Sequence, residues 1–134
     1  MCLKGQIDVN TYPENGIGYK VFVKLEPNLY KPLYICISDA MYIRDQEYIA
    51  FDDMLPDGNG LYYPAGFHIF PDFEGAQNLI KYFRIHLPRR KVVIVRVSYR
   101  NRVACGYEQK LGVEHPVIVA KYMTLLEEVS DSAN

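Results

Sequence analysis

Residues Gly66-Phe67-His68-Ile69-Phe70-Pro71-Asp72-Phe73-Glu74-Gly75-Ala76 join an apolar strand to a capped helix, and this joint organises the rest of the chain. Asp72 is a natural N-cap. Ala76, Leu79, Ile80 and Phe83 then recur at helical spacing on one face until Pro88 stops the segment. Before the joint, Leu61 to Phe70 reads as a strand that Pro64 and Gly66 bend or bulge. After it, Lys91-Val92-Val93-Ile94-Val95-Arg96-Val97-Ser98-Tyr99 is the strongest strand in the chain. Its β-branched residues predict burial on at least one face and a place as the spine of a sheet.

The remaining pattern is also strand-rich. Ile17 to Lys24 alternates with a period of two between the turn signals Asn15-Gly16 and Pro27-Asn28. Lys31 to Ser38 and Glu47 to Phe51 are further strand candidates, and Asp52 to Gly60 is rich in turn residues. Arg102 to Glu108 reads as a short strand. Pro116 to Val129 reads as a final one, in which Leu125 to Glu128 fits a helical turn equally well. With strands outnumbering helices, the expected class is α+β: a mostly antiparallel sheet of about five to seven strands with one principal helix.

A length of 134 residues fits a single domain, 1–134, with a polar, frayed tail at about 130–134. Cys2, Cys36 and Cys105 are odd in number and lack ligand spacing, so neither a disulfide framework nor a zinc site is expected, and no cofactor is predicted. Cys36, inside Leu33-Tyr34-Ile35-Cys36-Ile37, reads as a small buried thiol. No apolar run approaches the roughly 18 residues that span a bilayer, and no signal-peptide pattern opens the chain. The expected setting is cytoplasmic and reducing.

Two features carry candidate chemistry. The first is a basic stretch containing Arg84, His86, Arg89, Arg90, Lys91, Arg96, Arg100 and Arg102. On a strand, Arg96, Ser98 and Arg100 share one face and Val93, Val95, Val97 and Tyr99 the other. Guanidinium forks suit phosphates and carboxylates, so a nucleotide, a nucleic acid strand or an acidic protein surface would fit there; balanced by nearby Glu and Asp, the same arginines make an ordinary solvated face. A net charge of -1 argues against a general nucleic-acid coat.

The second feature is His68, whose ordinary pKa near ~6.5 suits proton exchange around neutrality. No Ser or Cys with an orienting third residue is evident beside it, and a hydrogen-bonded structural histidine at a strand end is the competing reading. Loss of Met1 would leave Cys2 as an amino-terminal nucleophile, with nothing in Leu3-Lys4-Gly5 to support it. Asp53 to Asn59 supplies oxygen ligands, but Pro56 and the missing terminal glutamate break the calcium-loop pattern.

Met1-Cys2-Leu3, Tyr19-Lys20-Val21-Phe22, Gly66 to Phe70 with Ala76, Val92 to Val97, and Val117 to Val129 occur in an order that resembles a group of small bacterial and bacteriophage proteins. Those proteins share a Met-Cys-Leu start and a Gly-Phe-His-x-Phe strand leading into a helix. Arg100 to Glu114 has no counterpart in that pattern. The resemblance implies a mobile-element protein and names no mechanism. Together with twelve tyrosines and the missing catalytic set, it suggests a non-enzymatic interaction protein, a phage or prophage accessory factor that binds a host protein, with inhibition of that protein left open. Its expected contact residues are Arg96, Tyr99, Arg100, Arg102 and His68. The alternative is a small anionic-ligand or nucleotide-binding domain, a hydrolase or transferase using His68, in which His68 and the arginines converge on one pocket.

Overall fold

Two long strands, β8 (Val92–Lys110) and β9 (Val113–Val129), form the hairpin on which everything else is assembled. Their turn places Leu111 and Gly112 at φ 53° and 76°, the positive values that let a two-residue turn match the twist of its strands. The computed structural model describes residues 3–33 and 41–130. In chain order the other elements are β1 (Gly5–Ile7), a 3-10 turn at Val9–Thr11, β2 (Gly16–Glu26), β3 (Leu29–Pro32), β4 (Glu47–Ile49), β5 (Met54–Pro56), β6 (Tyr62–Pro64), β7 (Phe67–Ile69) and α1 (Phe73–His86). This is a sheet-rich α+β arrangement with one α-helix among the described residues.

The main sheet is antiparallel in the order β3-β2-β8-β9-β4, with β1 added to the second half of β8 and β7 to the middle of β9. β8 serves two neighbours because it bends. Its register shifts after Arg96 and again after Arg102, and Asn101 between them sits at φ 61° with its N–H held by Asn15 Oδ1 at 3.0 Å. The sheet then curls until it meets itself. Tyr19 on β2 and Phe70, just past β7, exchange both backbone hydrogen bonds at 2.8 Å, closing the circuit β2-β8-β9-β7-β2.

Curling divides the core in two. Phe22, Ile69, Val95, Val97, Ile118 and Met123 fill the concave side. Val21, Ile94 and Val119 face α1, which buries Ala76, Leu79, Ile80 and Phe83 against them. The expected burial of β8 on at least one face is therefore met on both faces over its first half. β5 and β6 form a separate two-stranded ribbon that lays Tyr63 and Leu55 against the helix-side core.

Several expected boundaries shift. The strand over Leu61 to Phe70 is two strands in two different sheets, β6 and β7. They part at Ala65-Gly66, where the Gly66 backbone passes so close to Ala120 that a Cβ would lie 2.6 Å from its carbonyl. The short strand over Arg102 to Glu108 is the continuation of β8, and Leu125 to Glu128 is strand, since β8 pairs along it. The Asp72 side chain makes no capping bond, although its carbonyl accepts from Gly75 N–H at 3.2 Å. Cys2, Cys36, most of the strand expected over Lys31 to Ser38, and the tail from residue 131 lie outside the described residues.

Closure rests on Gly18, where a Cβ would stand 2.4 Å from Ile69 Cγ2 and 2.7 Å from the Phe70 carbonyl. Gly18→Ala is expected to cost about 1–3 kcal/mol by forcing β2 away from β7. A urea midpoint equal to that of the parent would show that the closure bears no load.

Candidate functional site

The strongest concentration of perturbed polar groups is a knot where β1, β2, β6, β7 and β8 meet. β7 puts Phe67 and Ile69 into the concave core, so the alternate residue His68 turns to the opposite side and is 6% exposed. Its Nδ1 lies 3.3 Å from the Gly66 carbonyl and its Nε2 3.1 Å from Tyr63 Oη, which in turn accepts from Leu3 N–H at 3.1 Å. One proton arrangement satisfies this chain: Nδ1–H donates to Gly66 and Nε2 accepts from the tyrosine hydroxyl. Burial, reinforced by the positive charge of Lys20, depresses the His68 pKa to about 3, so the ring is neutral. With both nitrogens committed, His68 works as a structural tie and offers no free base near neutrality.

Lys20 supplies the second tie. Half-buried as a residue, it carries its ammonium inward to the His68 carbonyl at 2.8 Å. Desolvation lowers its pKa to about 8, opposed by the charge of Glu108. Glu108 itself is 4% exposed, and its Oε2 has no hydrogen-bond partner among the described residues. Burial raises its pKa to about 7, against the pull of Lys110 and Lys20. The sign pattern is that of a carboxyl that spends much of its time protonated at neutral pH, which lessens the cost of leaving an oxygen unpaired.

The three candidate arginines go elsewhere. Arg96 bonds Glu127 at 2.6 Å. Arg100 grips Glu47 through two bonds of 2.8 and 2.9 Å, holding that carboxyl below its ordinary pKa, and lies 3.7 Å over the Tyr122 ring. Arg102 donates to the Tyr12 carbonyl and to Asn10 Oδ1, stitching the segment after β1 onto β8. Tyr99 is buried, with its hydroxyl donating to the Pro13 carbonyl at 2.9 Å. Each is thus engaged by a different part of the fold, and the contacts of His68 are with Gly66, Tyr63 and Lys20. Of the other histidines, His86 is exposed and His115 is half-buried.

A surface feature stands out in their place. On the ribbon, Met54 and Pro56 of β5 lie opposite Pro64 and Tyr62 of β6, and these four share the face turned away from the core. Met54 is 52% exposed, Tyr62 64% and the adjoining Leu61 62%. The loop behind them is rigidly built. Asp57 Oδ1 accepts from Asn59 and Leu61 N–H at 2.8 and 2.9 Å, while Oδ2 accepts from Gln6 of β1 at 3.0 Å. Burial alone would raise the Asp57 pKa, and these bonds reverse the effect and hold it below the ordinary value.

Among the described residues no group of three or more His, Cys, Asp or Glu side chains gathers in a metal-holding arrangement, and no helix is long and apolar enough to cross a membrane. The chain matches no protein-family model, no curated protein and no solved structure.

Lys20, Tyr63, Glu108 and the ribbon face carry the polar knot and the exposed apolar patch, and sequence reasoning did not single them out. The available signal was Met54-Leu55 and Leu61-Tyr62, two apolar pairs inside a turn-rich stretch.

The knot makes two predictions. Tyr63→Phe strips a hydroxyl that both Leu3 and His68 use, and is expected to cost about 1–3 kcal/mol and speed amide exchange in β1; unchanged exchange would remove the tie. For Glu108, the folded pKa exceeds the ordinary value of 4.5, so stability from this group is full at low pH and is lost as pH rises towards 7. Glu108→Gln should therefore raise the melting temperature more at pH 8 than at pH 5, and an equal shift at both would contradict the assignment.

Proposed function

We propose that this chain acts by binding another protein, as an accessory factor of phage or prophage origin that engages a bacterial host protein, and that the ribbon β5–β6 is its contact surface. One observation carries the reading. The outward face of the ribbon is wholly apolar and is held out on a scaffold of hydrogen bonds, the form in which a surface meets a partner with little ordering cost. Methionine and tyrosine are also residue types enriched in the cores of protein interfaces.

The arginines support the same choice from the other side. A contact centred on Arg96, Arg100 and Arg102 would have to break bonds to Glu127, Glu47 and Tyr12 first. The mode of contact is also constrained. Asp57 N–H bonds the Leu61 carbonyl and Ala65 N–H bonds the Asp53 carbonyl, so in the alternating ladder the backbone groups of residues 54, 56, 62 and 64 point out of the ribbon. On the open edge of β5, Pro56 has no N–H and that of Met54 is taken by Asp53 Oδ1 at 2.8 Å. An added strand would find no donor on that edge, which favours a partner that packs on side chains.

The test is affinity capture from bacterial lysate with three baits of matched stability. The parent and Arg100→Ala are expected to retain the same partner, and Tyr62→Asp to lose it by at least about tenfold, the loss typical of a central interface residue. Equal capture by Tyr62→Asp would end the assignment of the ribbon.

A further inference from the structure

Two places in the chain set an asparagine directly before a glycine, Asn15-Gly16 and Asn59-Gly60. Such a pair can react with itself. The backbone nitrogen of the glycine attacks the asparagine carboxamide carbon, the new C–N bond closes a five-membered succinimide ring, and the carboxamide nitrogen leaves as ammonia. Water then opens the ring on either side to give aspartate or isoaspartate. Glycine favours the step because no Cβ shields the attacking nitrogen or restricts the backbone.

The fold treats the two pairs differently, although both asparagines are exposed. Asn15-Gly16 is restrained at both reacting groups. The Asn15 Oδ1 accepts from Asn101 N–H at 3.0 Å. Gly16 is the first residue of β2, paired with Tyr99 and so close to it that a Cβ would lie 3.0 Å from the tyrosine Oη. Turning the carboxamide onto the Gly16 nitrogen would break the Asn101 bond and unseat the strand end. Asn59 carries less restraint. Its side chain makes no hydrogen bond among the described residues. Gly60 lies in the turn between β5 and β6 at φ 79°, with open space where a Cβ would be. Its N–H donates to the Asp57 carbonyl at 3.2 Å, the long end of the normal range.

We propose that Asn59 is a site of spontaneous deamidation in the folded protein, and that Asn15 is protected from it. Conversion changes the ribbon in two ways. It places a new carboxylate beside Leu61 and Tyr62 and close to Asp57, whose Oδ1 accepts from Asn59 and Leu61 N–H. Isoaspartate also inserts an extra carbon into the main chain between those two N–H groups, so Asp57 no longer holds both at their present spacing. The consequence for binding rests on the reading of the ribbon as a contact surface: a charge at its edge has to be desolvated before a partner seats, so the aged molecule binds more weakly.

Peptide mapping by mass spectrometry tests the site on the full chain held for days at mildly alkaline pH. In the folded chain Asn59 is expected to convert at least about tenfold faster than Asn15, the ratio that one further hydrogen bond in the barrier gives. In urea the two should convert at comparable rates, which would assign the difference to the fold. Asn59→Gln should abolish the reaction at that position. Equal rates in the folded chain, or no conversion at Asn59 while the unfolded chain converts, would overturn the proposal. Affinity capture separates the chemistry from its effect. Loss of the partner by aged parent, with retention by aged Asn59→Gln, supports the weakened binding. Full capture by aged parent where fresh Tyr62→Asp captures nothing would overturn that effect. Capture by Tyr62→Asp would instead end the reading of the ribbon and leave the deamidation to stand on the peptide masses.

Discussion

A strand that is apolar on both faces has to be covered twice, and the first half of β8 sets that condition for the whole molecule. Val92 and Ile94 face one way, Val95 and Val97 the other, and the four are 0 to 5% exposed. One helix covers the first pair. Among the described residues there is no second helix for the other; the sheet rolls over and covers it with its own strands, and the Tyr19–Phe70 exchange is the seam of that roll. The bulges in β8 and the left-handed Asn101 are the local means by which a 19-residue strand turns through the curve.

The seam explains why the polar knot is where it is. Lys20 and His68 flank the two residues that close the sheet, and the bond from the lysine ammonium to the histidine carbonyl runs beside the backbone pair. Burying a histidine is tolerable when both nitrogens are satisfied and the ring stays neutral. Glu108 is the unbalanced member, with one oxygen unpaired and two lysines as its counterweights. The knot thus joins strands distant in sequence by directed bonds, which apolar packing alone would not position.

Legibility in the sequence followed the range of the physics involved. The helix from Phe73 and the strands beginning at Gly16 and Val92 announce themselves through periodicity and capping, which are local. Both the break at Ala65-Gly66 and the fusion of two expected strands into β8 depend on which distant strand lies alongside, and neighbouring residues carry no trace of it. His68 drew attention as a titratable residue, yet its state is decided by Tyr63 and Leu3, the latter sixty positions from the tyrosine. The arginines looked like an open cationic face because their partners Glu47, Glu127 and Tyr12 sit on other elements. The ribbon hid in a segment whose Asp, Gly and Asn content reads as loop.

The placement of β1 has a consequence for how the chain is made. β1 pairs with residues 105–107 and the first half of β2 with residues 96–99, so the early segments find their neighbours only after most of the sequence has been synthesised. Until then β2 has only the short β3 beside it, and β1 has no strand to pair with. Such long-range closure is slow, and it exposes the nascent chain to aggregation and to chaperones. The β8–β9 hairpin joins strands adjacent in sequence and so closes the shorter loops, whereas β1 and the first half of β2 pair only across most of the chain.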